Sequence, residues 1–235
     1  MRPNLLLLPG LLCDHAVWQP QIDALSPHAD CHVVDYGLRN SLRDMAEHAL
    51  ATAPAGPLCV AGHSMGGRVA FEMWRLAPER IHKLALLDTS YHPLAPGEVG
   101  ETERAGRMKL LGIAQRNGMH TMACEWAVGM VHESRRGTPL FDSVVDMLAR
   151  KTPEHYAAQI EALLNRPDAD PLLPTITVPT LVLCGRDDTW SAPARHEHVH
   201  ARIARSRLEI IERCGHMSTM EQPHAVTQAL LTWLD

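Results

Sequence analysis

The sequence predicts an α/β protein: an open, doubly wound, mainly parallel sheet of about six strands, with an inserted helical cap. Three observations lead there. Short apolar runs alternate with segments of helical apolar spacing. One long stretch, residues 90–174, breaks that alternation and carries helical patterns only. Glycine-bearing turns directly follow several of the apolar runs, where sheets of this kind hold their ligands.

The apolar runs are residues 5–8, 31–34, 58–61, 84–87, 180–183 and 208–211, each bounded by turn residues or charges. Their brevity and near-continuous apolar character suit parallel strands buried on both faces. Helical spacing covers 18–25, 42–51, 65–76, 195–203 and 223–233. Ser41 with Asp44 resembles a capping box opening the second of these. Strand followed by helix followed by strand implies right-handed crossovers. Within the stretch that breaks the pattern, helices are expected at 98–116, 119–132, 140–151 and 154–165. The core is therefore assigned to 1–89 and 175–235 and the cap to 90–174. Leaving after the fourth strand and returning before the fifth, the cap should roof the carboxyl ends of the strands.

Composition narrows the function classes. A chain of 235 residues, 46% hydrophobic and 21% charged, is an ordinary globular protein able to bury one large core. Pro9-Gly10 interrupts the apolar run at the N-terminus well short of a signal-peptide core, and no other run is long enough to span a bilayer. The expected location is cytoplasmic, without membrane association. Six scattered cysteines, several of them in strand-like runs, suggest buried free thiols. A net charge of −5 without a basic stripe gives no case for nucleic acid, which leaves a small molecule as the expected partner. His196-Glu197-His198-Val199-His200 has a metal-like composition, but its spacing does not bring three ligands to one helix face. No metal and no cofactor are expected, and the oligomeric state is not legible.

The chemistry centres on Gly62-His63-Ser64-Met65-Gly66-Gly67. A G-x-S-x-G pattern is weak alone, but here it directly follows an apolar run and directly precedes a helical one. A nucleophile held on so sharp a strand-to-helix turn needs small neighbours, because a Cβ at Gly62 or Gly66 would crowd it. Among fifteen histidines, His216 lies between the last strand and the last helix, which places it at the same sheet edge as Ser64. His63 adjoins Ser64, yet its side chain should point away across the turn. After the fifth strand, Asp187 and Asp188 compete to orient the imidazole. An oxyanion hole would use the N–H of Met65 and one from the turn after the first strand, with Leu11 preferred and Leu12 the alternative.

These segments, together with Leu8-Pro9-Gly10 and Trp18, Asp35-Tyr36-Gly37 with Ser41, Pro78-Glu79-Arg80, Gly185-Arg186-Asp187-Asp188 and Gly215-His216 with Glu221-Gln222-Pro223, resemble the α/β-hydrolase fold superfamily. The likeness is strongest to its compact capped serine hydrolases, the group of the pimeloyl-carrier-protein methyl ester esterase and the menaquinone-pathway enzyme. It covers nearly the whole core and weakens across the cap. It implies the order nucleophile, acid, base, and so the triad Ser64, Asp188, His216. Two departures stand out. Pro9 occupies the place where the family commonly has a His before the oxyanion-loop glycine, and the first strand corresponds to the family's third, so the usual N-terminal antiparallel pair is missing.

The resemblance further implies a carboxylic ester or thioester hydrolysed through an acyl-enzyme on Ser64. Substrate identity would come from the cap, with Trp126, Met122 and Trp190 the candidate lining residues. Met108, Met119, Met130 and Met147 could join them or simply pack the cap helices. Arg104, Arg107 and Lys109 could meet an acidic substrate tail, but a solvated helix face explains them more simply. Because the same fold also serves lyases, C–C bond hydrolases and slow-turnover ligand receptors, a non-hydrolytic role is the alternative.

Overall fold

The computed structural model describes residues 2–235. In chain order the elements are β1 (Asn4–Leu8), α1 (Gln19–Leu25), β2 (Asp30–Val33), α2 (Leu42–Thr52), β3 (Leu58–His63), α3 (Met65–Leu76) and β4 (Ile81–Leu87). Four helices follow: α4 (Glu98–Asn117), α5 (Met119–Ala127), α6 (Pro139–Ala149) and α7 (Pro153–Leu164). The chain then closes with β5 (Thr180–Gly185), α8 (Pro193–Arg202), β6 (Ser206–Ile211), α9 (Ser218–Glu221) and α10 (Pro223–Leu234).

The six strands form one sheet in the order β2-β1-β3-β4-β5-β6, with every pairing parallel. The chain moves outward from β1 to β2 and then returns to β3 on the other side. That reversal opens a crevice at the carboxyl ends of β1 and β3, where an open α/β sheet binds its ligand. Burial follows strand position. Every residue of β3 and β5 is buried, whereas the edge strands β2 and β6 are mostly half-buried. Polar residues sit accordingly at those edges, Asp30 and His32 on β2 and Arg207 and Glu209 on β6, which discourages pairing with another chain. Leu5, Leu7 and Leu8 are fully buried in the centre, each contributing about 1.5–3 kcal/mol by transfer from water.

Local signals start several helices. The Ser41 hydroxyl accepts the Asp44 N–H at 3.0 Å, which caps α2, while the Asp44 carboxylate lies 3.6 Å from Arg39 Nε instead of closing the box. Pro139 and Pro153 occupy first-turn positions of α6 and α7, where a missing N–H costs nothing.

One expected helix needs correcting, and one short helix was not expected. The helix expected to run to 132 ends at Ala127, because residues 128–131 turn to meet the loop that carries His216; the Met130 carbonyl accepts the His216 N–H at 2.8 Å. The short helix α9 carries no apolar period of its own and is held by the Glu221 carboxylate, which accepts the N–H groups of Gly215 and Met217 at 3.0 and 3.2 Å. Of the six free thiols, Cys31 and Cys124 are only half-buried, in contrast to the other four. Among the described residues no helix is long and apolar enough to cross a membrane.

Candidate active site

β3 ends in His63, and the chain then turns sharply at Ser64, whose φ of 53° lies in the left-handed region that L-residues avoid. The strained residue is held from both sides of its peptide: its N–H donates to the Leu87 carbonyl at 2.8 Å, and its carbonyl accepts from the Thr89 hydroxyl at 2.7 Å. α3 starts at the next residue, so the first free N–H groups of a helix face the serine side chain.

His216 Nε2 lies 2.7 Å from Ser64 Oγ, and His216 Nδ1 lies 2.8 Å from Asp188 Oδ2. An ionised carboxylate only accepts, so Nδ1 carries the ring proton and Nε2 is left to accept from the serine hydroxyl. The remaining Asp188 oxygen accepts the N–H groups of Trp190 and Ser191 at 2.8 and 2.9 Å. Its neighbour Asp187 points elsewhere, with its carboxylate 45% exposed and 3.7 Å from His132. Of the two acids the sequence left in competition, Asp188 is the one that touches the imidazole.

The electrostatics separate the charged from the neutral groups. Burial would raise Asp188, but His216 beside it and three hydrogen bonds to its oxygens hold it below the ordinary aspartate range. Burial would likewise lower His216, and Asp188 outweighs it, so the imidazole sits above its ordinary value. His63 is fully buried with Nε2 2.8 Å from the His216 carbonyl; burial and the charge of His216 push it down to about 3, which keeps it neutral. It therefore ties the histidine loop to the end of β3 and does not compete for the serine proton. Asp88, just past β4, is raised well above the carboxylate range by burial and by Asp188. It accepts the Gly185 N–H at 3.1 Å and the Ser218 hydroxyl, bridging the ends of β5 and α9.

Past β1 the chain makes a tight turn closed by Cys13 N–H to the Gly10 carbonyl at 3.1 Å, with Leu12 at a φ of 59°. The Leu12 N–H is already taken by Gln159 Oε1 at 2.7 Å. Between the two donors the sequence allowed, Leu11 is thus the one whose N–H is not committed to Gln159. Leu11, Met65, Ser64 and His216 all line one cavity of about 490 Å³ between the sheet edge and α4–α7. Trp126 and Trp190 stack on its wall with ring centres 5.6 Å apart, and Trp190 also lies 5.1 Å from the His216 ring.

Residues 5–229 match the model of the alpha/beta hydrolase family. The chain belongs to that family. The pimeloyl-[acyl-carrier protein] methyl ester esterase of Pectobacterium carotovorum is 41% identical to it, over 98% of this chain and 93% of that enzyme. A 2-hydroxy-6-oxononadienedioate/2-hydroxy-6-oxononatrienedioate hydrolase of Pseudomonas putida is 28% identical over 74% of this chain and 62% of its own length. Among solved structures, a thermophilic esterase from Thermogutta terrifontis superposes with a TM-score of 0.86 at 29% identity, covering 99% of this chain and 89% of that one. Family membership and these esterase relatives support hydrolase activity.

Some expectations about the family site change. Met122 is fully buried among the α4–α7 helices and does not reach the cavity; of the methionines considered, only Met130 lines it, while Met108 is 50% exposed. Arg104 and Lys109 do lie on a solvated face, the latter 2.6 Å from Glu125, but Arg107 turns inward and lines the cavity. The three histidines of α8 diverge to Thr89, Asp170 and Ser206. Sequence reasoning missed Asp88, although it directly follows the fourth apolar run. It also missed Arg68, four residues beyond Ser64 on the helix that follows it, as well as Gln159 and Arg166, which carried no local signal; Glu221 stood in a family-like segment but was given no role.

Proposed function

We propose that the protein hydrolyses a small carboxylic ester or thioester through an acyl-enzyme on Ser64. The observation that carries this is the unbroken chain from Ser64 Oγ to His216 (2.7 Å) and from His216 to Asp188 (2.8 Å), opening into a cavity of substrate size. Ser64 Oγ attacks the carbonyl carbon as its proton passes to His216 Nε2, and Asp188 stabilises the imidazolium that results. The N–H groups of Leu11 and Met65 receive the carbonyl oxygen as it becomes anionic. The tetrahedral adduct collapses, and the leaving alcohol or thiol departs with the proton from His216. Water then gives a proton to His216 as its oxygen attacks the acyl carbon, and this second adduct collapses to the acid as His216 returns that proton to Ser64 Oγ.

In this reading residues 90–174 act as the cap over a core of 1–89 and 175–235, and Trp126 and Trp190 form an aromatic wall for the substrate. The esterase relative at 41% identity supports ester over other bonds. Six free thiols suit a reducing compartment, so the proposed location is the cytoplasm and the proposed partner a small molecule. The test compares wild type with Ser64→Ala, using a fluorophosphonate probe and 4-nitrophenyl esters of graded chain length. Wild type should label and turn over; Ser64→Ala should not label and should lose about 10⁴-fold or more in kcat. A wild type that neither labels nor hydrolyses any ester refutes the proposal.

A further inference from the structure

The cavity beside Ser64 holds more positive charge than the protein neutralises. Four guanidinium groups line it: Arg68 from α3, Arg107 from α4, Arg166 just past α7 and Arg195 from α8. Two carboxyl groups line it as well: Asp88, which is raised well above the carboxylate range and tied to Gly185 and Ser218, and Glu103, which meets the guanidinium groups. Glu103 is fully engaged, because its oxygens receive Arg166 at 2.7 Å twice and Arg107 at 2.9 and 3.0 Å. These two pairs account for the cap side of the wall. Arg68 and Arg195 come from the core, and among the described residues neither has a carboxylate within ion-pair distance. Arg68 donates only to the His92 carbonyl at 2.9 Å, and Arg195 only to the Trp190 carbonyl at 2.9 Å and the Ser90 hydroxyl at 3.4 Å.

We infer that Arg68, flanked by Arg195 and Arg166, seats a carboxylate at the far end of the substrate's acyl chain, so that the ester cleaved at Ser64 is a monoester of a dicarboxylic acid. This deepens the ester-hydrolase reading and rests on it. Arg68 follows Ser64 by four residues on α3, about one turn and 6 Å along the helix, so one short chain can reach both. A guanidinium that leans on a single carbonyl still has N–H pairs free for the bidentate geometry a carboxylate offers. Enclosure disfavours the charged guanidinium: burial, then the charge of Arg166, pushes Arg68 down to about 9. An incoming carboxylate would offset that repulsion, whereas a neutral chain end would not. A purely structural Arg68 would tie α3 to His92 and give no reason for the charge excess.

The experiment measures kcat/KM of wild type, Arg68→Met and Arg68→Lys on two 4-nitrophenyl esters of equal chain length, the neutral pentanoate and the anionic hemiglutarate. Wild type should favour the hemiglutarate by about tenfold or more, as expected for a charge-assisted hydrogen bond. Arg68→Met should reduce that ratio by about tenfold, chiefly through KM, and Arg68→Lys should keep part of it. A simple loss of packing would lower both esters together and leave the ratio in place, which overturns the inference. So does a wild type that turns over pentanoate with no preference for the charged ester; in both outcomes the hydrolase reading survives. A wild type inert to both esters and to the fluorophosphonate probe instead removes the reading beneath it. Should Arg68→Met not fold, competitive inhibition of wild type decides. Glutarate should inhibit at about tenfold lower concentration than glutaramide, and inhibition by inorganic phosphate as strong as by glutarate overturns the assignment to a carboxylate.

Discussion

Replacing Gly66 with alanine should cost both stability and turnover, because this glycine is where α3 touches the end of β1. A Cβ there would lie 2.0 Å from the Leu8 carbonyl oxygen, 2.6 Å from its carbon and 2.8 Å from the Pro9 oxygen. Ordinary contact begins at 3.4 Å, so helix and strand end must part by about 1.4 Å. No flexible side chain can absorb this, since every clashing atom is backbone and Leu8 is paired with Gly62 in the sheet. Overpacking typically costs about 1–3 kcal/mol, and a backbone clash belongs at the upper end. For a chain of this size that is a fall in Tm of about 6–12 °C. The parting also separates the N–H of Met65, on α3, from that of Leu11, on the loop that Leu8 begins. A misplacement of about 1 Å at a reacting centre costs on the order of 100-fold in rate. Thermal unfolding and single-turnover kinetics on an activated ester measure the two effects. Gly112→Ala is the control, because its Cβ would meet only the mobile Arg116 guanidinium at 2.9 Å, and its Tm should hold or rise slightly. A Gly66→Ala protein with Tm within about 2 °C of wild type and kcat/KM within about threefold refutes the reasoning.

Three further outcomes are expected. Asp188→Asn should lower kcat by about 10⁴-fold through loss of the imidazole's orientation, while Asp187→Asn, whose side chain faces His132, should change it less than about threefold; equal losses in the two variants would contradict this. Because Asp188 outweighs burial and raises His216, the base is protonated and inactive at low pH, so kcat/KM should rise with pH through a limb centred above 6.5. That limb should move to lower pH in Asp188→Asn, and a pH–rate profile with its limb at or below 6.5 in wild type would count against the coupling. Gln159→Leu should strand the buried Leu12 N–H, costing about 1–3 kcal/mol, and loosen the loop carrying Leu11, so that kcat falls while labelling of Ser64 persists; urea unfolding and burst kinetics read the two effects separately.

The parts of the fold that were legible share one property. β3 and α3 lie where expected, and α3 runs over Met65–Leu76, because an apolar strand, a glycine turn and a helical period all sit within twenty residues of one another. The six parallel strands were readable for the same reason, as short runs without alternation. At the site, Ser64 and His216 stood out because each directly follows a strand and precedes a helix. Asp187 and Asp188 are chemically identical neighbours, and the turn after β5, where the Asp187 N–H meets the Cys214 carbonyl, sends one inward and the other to solvent. Arg104 and Arg107 lie three apart on α4, and the packing of that helix against α7 decides which of them faces the cavity.

By itself, then, the sequence determined the layered α/β architecture, the elbow at Ser64 and the candidate base, since these depend on periodicity and on turns a few residues long. Tertiary structure alone decided which acid meets His216, that the Leu12 N–H is taken by Gln159, that Met122 packs away from the cavity and that Arg68 faces it with no carboxylate among the described residues at ion-pair distance. Each of these depends on side chains as many as 147 residues apart in the chain meeting at one sheet edge, a separation over which no local pattern carries information.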